Sequence, residues 1–268
     1  MPLKKLRALH DPRKGTLKIV GLMSGSGTNL RKILEHQEKL RSEEGRYIYQ
    51  MVAIFSDNWQ SKAPEIGKDY DIPVIIHDLT AFYQKLNAPR TDLKLREKFD
   101  RMTVEMLKPF KAKVAAYGGY MSLATKPLIQ AFIGVNVHPA DLSVPGEKKG
   151  TRKWTGGHAV RDQIQAGEKF LRSTTHLIEP ACDMGKIFLV SKPMPVQIPE
   201  GVDLQDKTQL QKVSDLNQER LKQSGDWEIF PKTIEFIARG YFQTDSSGKF
   251  YFKGKPIPNG IKLDELEK

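Results

Sequence analysis

The sequence predicts a fold of three layers, α/β/α, with a mostly parallel, twisted sheet between two layers of helices and an antiparallel edge near the carboxyl terminus. Short apolar runs alternate with segments of helical periodicity through the first half of the chain, which is typical of a parallel sheet. Glycines or polar residues directly follow several of these runs, at the sheet edge where open α/β folds bind ligands. The 268 residues are enough to bury a large core as one domain.

The composition is basic and contains a single cysteine. Forty-three Lys and Arg against 32 Asp and Glu give a net charge of +11, which favours anionic or phosphorylated ligands. Only residues 148–154 combine clustered basic side chains with an aromatic one, so we do not expect a nucleic-acid binder. Cys182 alone can form neither an intrachain disulfide nor a cysteine-built metal site, and no run of about 18 apolar residues occurs. We therefore expect a soluble, cytoplasmic protein without a metal or a membrane contact.

The first elements are a basic extension, a strand and a helix. Residues 1–16 contain too few apolar side chains to pack, so we expect a mobile N-terminal extension ahead of one catalytic domain at residues 17–268. Residues 17–23 form an apolar strand, and residues 30–34 begin a helix with one apolar face.

A glycine-rich loop joins that strand to the helix. It contains Gly25, Ser26, Gly27, Thr28 and Asn29. Glycine lets backbone N–H groups approach an anion closely, and the positive end of the following helix adds to the attraction. The spacing is neither the dinucleotide fingerprint nor a Walker loop, so a phosphate site and a plain turn remain equally open.

The next elements continue the alternation of strands and helices. Strands are expected at three apolar runs, residues 51–55, 72–76 and 113–117. Residues 63–70 predict a helix between the first two strands, and apolar residues at helical spacing over 95–110 predict another. Gly118 and Gly119 then follow a strand, where they allow a ligand to approach the backbone closely.

The strand at residues 132–137 delivers polar side chains to the same sheet edge. Side chains alternate along a strand, so Asn136 and His138 share one face. Amide and imidazole N–H groups placed together can stabilise an oxygen that becomes negative when a carbonyl is attacked. Asp183, in a turn after the strand at 173–178, is the candidate for taking the proton. These three residues would form an acyl-transfer site without a covalent nucleophile, although an Asn-x-His pair at a strand end more often caps a loop.

The second half of the chain contains a long loop and a helix pair. Residues 139–157 lack periodicity and predict a loop, which in a compact domain is either a functional lid or disordered. The remaining elements are a short helix, a strand, two helices and a hairpin, at residues 158–165, 187–190, 205–240 and 241–252 respectively. Pro231 is expected to separate the two helices.

Three motifs, in this order, resemble those of phosphoribosylglycinamide formyltransferase, a folate-dependent family of purine synthesis. They are residues 24–30 (Ser-Gly-Ser-Gly-Thr-Asn-Leu), residues 136–139 (Asn-Val-His-Pro), and His176 with residues 183–185 (Asp-Met-Gly). The resemblance covers residues 18–261. It implies a Rossmann-like fold and transfer of a formyl group from the co-substrate 10-formyltetrahydrofolate to the amine of glycinamide ribonucleotide, in a monomer or homodimer.

The resemblance also implies roles for matching residues. Asn136 and protonated His138 would stabilise the oxyanion, while Asp183 would orient His138 and assist proton removal. The glycine loop would hold the ribose phosphate, with Asp226 near the ribose or amine. The folate would lie against residues of two segments, namely Met121, Ser122, Leu123, Ile178, Glu179, Pro180, Ala181 and Cys182.

Three departures from the family pattern border these pockets. Ser122 stands where the family usually has arginine, residues 140–143 (Ala-Asp-Leu-Ser) replace the usual Ser-Leu-Leu-Pro, and residues 147–155 look like an insertion. The acceptor amine therefore stays open. So does the role of the basic insertion, which is either a lid over an anionic ligand or a solvated loop.

Other functions remain as alternatives. Methionyl-tRNA formyltransferase shares the Asn-x-His and Asp elements, but it lacks this glycine loop and carries a carboxyl-terminal barrel, for which the tail here is too short. Formyltetrahydrofolate hydrolase has the loop together with an amino-terminal regulatory domain that we do not expect here. A formyltransferase with another acceptor and a non-catalytic nucleotide-binding relative complete the alternatives.

Overall fold

The computed structural model describes residues 5–266. One large sheet of eight strands lies at the centre of the fold. In chain order the elements are β1 (Arg7–Ala8), β2 (Leu17–Met23), α1 (Thr28–Glu44), β3 (Tyr49–Ser56), α2 (Ala63–Tyr70), β4 (Val74–Ile76), α3 (Leu79–Lys85), α4 (Leu93–Leu107), β5 (Val114–Tyr117), α5 (Lys126–Ala131), β6 (Ile133–His138), α6 (Ala159–Gln165), β7 (Phe170–Leu171), β8 (Thr174–Leu177), β9 (Ile187–Val190), β10 (Met194–Pro195), α7 (Lys207–Leu221), α8 (Trp227–Ala238), β11 (Phe242–Thr244), β12 (Phe250–Phe252), β13 (Lys255–Pro256), β14 (Ile261–Lys262) and α9 (Leu263–Leu266).

The large sheet is mostly parallel, as the sequence predicts. Its strand order is β14-β9-β8-β6-β5-β2-β3-β4, and β8 alone among these eight strands runs antiparallel to its neighbours. The prediction of an antiparallel edge near the tail is wrong. Both edge strands, β4 and β14, pair in parallel, while the predicted hairpin β11–β12 joins β1 and β13 in a separate antiparallel sheet. A hairpin joins two antiparallel strands without a crossover connection, so this pair can form a sheet separate from the large one.

Helices cover both faces of the large sheet, which confirms the three-layer arrangement. The alternation of side chains in β2 shows how the layers divide: Ile19 packs in the core under α1 and α8, whereas Val20 and Leu22 pack in the core under α3 and α4. The second sheet adds Phe242 and Phe252 to the first of these cores. The carboxyl ends of β2, β5 and β6 remain uncovered by helices and are open to ligands.

The helix pair near the carboxyl terminus differs from prediction. Pro231 does not separate two helices, since it lies inside α8. The interruption falls instead at a π-helical turn, Lys222–Asp226, between α7 and α8. An ideal Cβ on Gly225 would lie 2.7 Å from Oγ of Ser173, the residue that precedes β8. The π-helical turn therefore lies where a residue without a side chain packs against the start of β8. Such π-turns are frequent at functional sites.

The amino-terminal extension is ordered where the structure describes it. Arg7 and Ala8 pair with β11 in antiparallel register, and the imidazole of buried His10 hydrogen-bonds the carbonyl of Gly15 at 3.0 Å. The expected mobility is therefore wrong for residues 7–15, because backbone pairing holds this segment with few apolar side chains. Residues 1–4 lie outside the described part of the chain, and the boundary at residue 16 stays a prediction.

Among the helices found within residues 5–266, none combines the length and apolarity needed to cross a bilayer.

Candidate active site

A cavity of about 690 Å³ opens at the carboxyl ends of β2, β5 and β6. The predicted site segments line it together, and they are residues 24–29, residues 117–124, residues 136–139, His176, residues 178–180 with 182–183, and Asp226. The fold therefore brings the three sequence motifs to one place. Of the predicted folate residues, Ala181 lies outside this lining and is exposed.

The predicted catalytic side chains form one cluster. Nδ1 of His138 lies 3.7 Å from Oδ2 of Asp183, and Nε2 of His176 lies 3.6 Å from Oδ1 of the same carboxylate. Asn136 donates from Nδ2 to Nε2 of His176 at 3.2 Å. The pairing of β6 with β8, with Asn136 opposite His176, sets this arrangement. The catalytic roles of these residues stay predictions.

His176 fixes the orientation of the Asn136 amide. Its Nδ1 donates to the carbonyl of Leu177 at 2.9 Å, so its Nε2 carries a lone pair and accepts from Asn136. Burial lowers the pKa of His176 to about 4, which keeps the ring neutral at pH 7. The second Nδ2–H of Asn136 is thereby left as a donor for a ligand in the cavity.

Both ring nitrogens of His138 face acceptors. Nε2 donates to the carbonyl of Trp154 at 2.9 Å, while Nδ1 faces Asp183. Burial lowers the pKa of His138, whereas Asp183 and the Trp154 carbonyl favour the protonated ring. The two acceptors thus favour a protonated His138, whereas burial favours the neutral ring.

The turn that carries Asp183 has an unusual backbone. Asp183 has φ +55°, in the left-handed region that residues other than glycine rarely adopt. Two residues later, an ideal Cβ on Gly185 would lie 1.7 Å from the carbonyl oxygen of Leu177, so glycine is required there. A strained turn of this kind persists only where neighbouring contacts hold it.

The loop at residues 139–157 supplies those contacts. Arg152 donates from Nη1 to the carbonyl of Asp183 at 2.6 Å and from Nη2 to the carbonyl of Gly185 at 2.9 Å. The N–H of Gly156 donates to Oδ2 of Asp183 at 2.8 Å, and Trp154 is buried. The loop prediction for residues 139–157 is confirmed, apart from an isolated bridge between Pro145 and Arg152. The loop is packed, and its Arg152 is committed to the Asp183 turn.

Charge in the cluster keeps Asp183 ionised. Burial by itself favours the protonated acid, but His138 and the N–H of Gly156 hold the pKa of Asp183 below its usual range. The cavity therefore presents a carboxylate at neutral pH. Within residues 5–266, no group of three His, Cys, Asp or Glu side chains is arranged to hold a metal ion.

The two glycines of the glycine loop serve different purposes. Gly27 has φ +65° and caps α1, and an ideal Cβ there would lie 2.5 Å from Ile66 Cδ1. Gly25 is exposed, and an ideal Cβ there would meet nothing within 4 Å. Within residues 5–266, no side chain hydrogen-bonds the first turn of α1 as a cap, and residues 24–29 line the cavity. This arrangement suits an anion.

Asp226 is a buried acid beside that loop. It accepts hydrogen bonds from Ser173 Oγ at 2.5 Å and from Asn29 Nδ2 at 3.4 Å. Burial raises its pKa to about 6. Oδ1 of Asn29 is buried and has no hydrogen-bond partner among residues 5–266.

The opposite wall of the cavity is apolar and exposed. Met121 is 83% exposed and Leu123 is 56% exposed, as expected of residues that await a ligand. Ser122, at the position of the usual family arginine, hydrogen-bonds Asp57. The buried guanidinium of Arg96 donates to the Leu123 carbonyl at 2.7 Å and supports this wall from behind.

Sequence reasoning missed several contributors to the site. Gln218 and Lys222 line the cavity from the end of α7 and the π-helical turn, and no local pattern indicates this. The sequence shows Arg152 as part of a basic run but not its contact with Asp183. His158 is exposed at the start of α6 and lies outside the lining.

Known proteins similar to this chain include purine-synthesis enzymes. The profile of the family described as formyl transferase matches residues 17–221, more than half of the chain. The trifunctional purine biosynthetic protein adenosine-3 of Gallus gallus is 23% identical over 239 residues, which cover 88% of this chain and 20% of that protein. The phosphoribosylglycinamide formyltransferase of Bacillus subtilis is 25% identical over 166 residues, or 61% of this chain and 72% of that enzyme. This chain thus spans about a fifth of the length of the trifunctional relatives.

Solved structures share the fold. Glycinamide ribonucleotide transformylase 1 from Symbiobacterium toebii has a TM-score of 0.61 at 23% identity, covering 88% of this chain and 94% of that one. The phosphoribosylglycinamide formyltransferase of Coxiella burnetii has a TM-score of 0.66 at 20% identity, covering 92% and 99%. The family profile spans both the glycine loop and the Asn136–Asp183 cluster. The chain therefore belongs to the formyl transferase family.

Proposed function

We propose that the protein transfers a formyl group from 10-formyltetrahydrofolate to the amine of glycinamide ribonucleotide. One observation carries the proposal: an ionised carboxylate, two histidines and an oriented amide meet in a cavity that also holds a glycine loop at a helix amino terminus. An amine tethered by its phosphate and a formyl carbon tethered by the folate would meet at this cluster. The names of the relatives support the same acceptor.

The reaction would proceed by direct attack. The amine nitrogen forms a bond to the formyl carbon while the C=O π pair moves to oxygen. The Nδ2–H of Asn136 that His176 does not use donates to this oxyanion. When the intermediate collapses, the bond from carbon to N10 of the folate breaks, and N10 receives the proton that the amine loses. No other reactant is consumed.

Asp183 and His138 would carry out the proton transfer from the attacking amine. The carboxylate of Asp183 accepts a proton from the attacking amine, directly or through water, because its depressed pKa keeps it ionised. A proton on Nδ1 of His138 would stabilise both this carboxylate and the oxyanion. Trp154 holds the other ring nitrogen, so the imidazole cannot rotate without losing a hydrogen bond.

The acceptor would bind at the glycine loop. Its phosphate would accept hydrogen bonds from the backbone of residues 25–29, and Lys222 adds a positive charge on the same cavity. Asp226 and the unpartnered Oδ1 of Asn29 provide acceptors for ribose hydroxyl or amine hydrogens. The folate would lie on the side of Met121 and Leu123. A cytoplasmic location and a monomeric or homodimeric state belong to the same proposal.

The proposal is tested by incubating the purified protein with both substrates. We expect formylated glycinamide ribonucleotide and tetrahydrofolate to form in equal amounts, with Asp183→Asn as the inactive control. Formate release without the acceptor would indicate a hydrolase instead, and the absence of both products would refute formyl transfer to this amine.

A further inference from the structure

A second cavity, of about 1040 Å³, lies at the opposite end of the large sheet. The extension forms one wall through β1, which pairs with β11. The residues that enter β2 and β5 form the other wall, where the N–H of Lys113 donates to the Lys18 carbonyl at 2.9 Å. This is the amino end of those strands, so the cavity is separate from the site at their carboxyl ends.

Three segments of the chain bring positive charge to this second cavity. The lining contains six basic side chains without an ion pair: Lys5, Arg7, Lys14, Lys18, Lys111 and Lys113. None of these six lies within 4.0 Å of a carboxylate oxygen belonging to residues 5–266. Of the two carboxylates in the lining, Asp11 pairs with Arg13, and Asp245 accepts hydrogen bonds from the Ser247 hydroxyl and the Tyr251 hydroxyl.

The charges are close enough to repel each other. Burial lowers the pKa of Lys113, and the positive charges of Arg7 and Lys14 lower it further. Asp11 offsets part of this repulsion, but the two carboxylates of the lining are outnumbered by its basic side chains. An excess of like charges destabilises the folded protein. An anion in the cavity would turn that repulsion into attraction, which is the arrangement of a binding site.

We propose that this second cavity binds a compact polyphosphate anion, either inorganic polyphosphate or the phosphate tail of a nucleotide. Several exposed cations around one open cavity match several phosphates in a row. No Phe, Tyr or Trp is among the described residues that line this cavity, whereas single-stranded nucleic acid is held by stacking on aromatic rings. A small anion therefore fits the lining better than a nucleic acid does.

The test is a calorimetric titration of the full chain with tripolyphosphate at low salt. Lys18→Gln/Lys113→Gln should weaken binding about tenfold or more, since it removes two charge-assisted contacts. The matched control, Lys94→Gln/Lys98→Gln, removes two exposed lysines of α4 and should leave the affinity unchanged. Gly25→Val, which obstructs the glycine loop, should leave it unchanged as well. Without ligand, the lining variant should melt no lower than wild type, because it loses repulsion.

Two further ligands distinguish the source of the phosphates. Tighter binding of ATP than of tripolyphosphate would assign the cavity to a nucleotide, and equal or weaker binding would assign it to inorganic polyphosphate. The proposal is overturned if tripolyphosphate does not saturate, if both lysine pairs lose affinity equally, or if Gly25→Val abolishes binding. It is also overturned if a single-stranded oligonucleotide binds more tightly and loses that affinity in Lys18→Gln/Lys113→Gln.

Discussion

The two halves of the candidate active-site cavity are built in different ways. The glycine loop presents backbone N–H groups, and its shape follows from a local sequence of strand, glycines and helix. The other half, which we propose is the catalytic half, depends on side chains that distant residues hold. Asp183 is fixed by Arg152 and Gly156, and Asn136 by His176. A change in the glycine loop should therefore affect one ligand, whereas a change in the catalytic half should affect the chemistry.

The largest loss is expected from Asp183→Asn. The substitution keeps the shape of the side chain but removes the proton acceptor and the charge that favours a protonated His138, so turnover should fall roughly 10²–10⁴-fold. Steady-state kinetics with both substrates would measure it. Unchanged Michaelis constants would place the effect in the chemical step. A loss confined to the Michaelis constants would show instead that Asp183 only binds substrate.

Asn136→Ala is expected to cost somewhat less. Loss of an oxyanion donor lowers turnover by about 10²–10³. His176 should remain neutral and folded in place, since its Nδ1 still donates to the Leu177 carbonyl. The measurement is the turnover number together with folate affinity by fluorescence. A variant that binds folate normally and still turns over at the wild-type rate would exclude Asn136 as the donor.

Arg152→Gln tests whether the basic loop holds the catalytic half. Removing the guanidinium frees the carbonyls of Asp183 and Gly185, and a small misplacement of a catalytic group can cost up to about 10² in rate. Arg152→Lys should rescue little, because one ammonium cannot reproduce the paired donors. Lys153→Gln, which removes the neighbouring exposed charge, is the matched control.

The readout for Arg152 has to separate positioning from ligand binding. We expect a fall in turnover with unchanged salt dependence of the Michaelis constants, and little further loss when Arg152→Gln is added to Asp183→Asn. If the loop were a lid over an anionic ligand, the Michaelis constant would rise and its salt dependence would flatten. Equal losses from Arg152→Gln and Lys153→Gln would also contradict the positioning role.

The glycine loop should respond differently. Gly25→Val places a side chain in open space at the cavity, so it should weaken acceptor binding about tenfold by blocking backbone contacts, with folate affinity preserved. Gly27→Val should instead lower the melting temperature, because its Cβ meets Ile66 and Met23 and its φ is positive. Calorimetric titration and thermal unfolding separate the two. Equal loss of both ligands in a folded Gly25→Val protein would contradict the phosphate site.

Substitution of Asp226 should have the smallest effect on turnover, and its effect on the free energy of unfolding should depend on pH. Its folded pKa of about 6 lies above the usual 3.8, so the folded state holds the proton more tightly. Below about pH 4 the acid is protonated in both the folded and the unfolded state, so its burial does not lower the free energy of unfolding through this proton. As the pH rises from about 4 to about 6, the free energy of unfolding falls, by at most about 3 kcal/mol.

Asp226→Asn should accordingly raise the free energy of unfolding at pH 8 and leave it unchanged near pH 4. Asn29 can reverse its amide to accept from the new side chain, since its Oδ1 has no partner in the described part of the chain. Denaturant unfolding at the two pH values measures this. A gain at pH 4 equal to that at pH 8 would mean that the Asp226 charge is not the cause.

The same contrast explains what the sequence could predict. The glycine loop, the strands that flank it and the shared face of Asn136 and His138 follow from local patterns, and their ends were correct within a few residues. The clamp of Arg152 on the Asp183 turn spans 31 residues and lies in a loop without periodicity, so no local pattern indicates it. The π-helical turn before Asp226 depends on packing of Gly225 against Ser173, again a tertiary contact.

The central claim is that Asn136 and Asp183 act as one unit in formyl transfer. Single-turnover rates at saturating substrates should be measured for wild type, Asn136→Ala, Asp183→Asn and the double variant. The account predicts that each single variant is slow and that the double variant loses much less than the product of the two losses, because groups acting together are not additive. Near wild-type turnover in either folded single variant, or fully multiplicative losses, would contradict it.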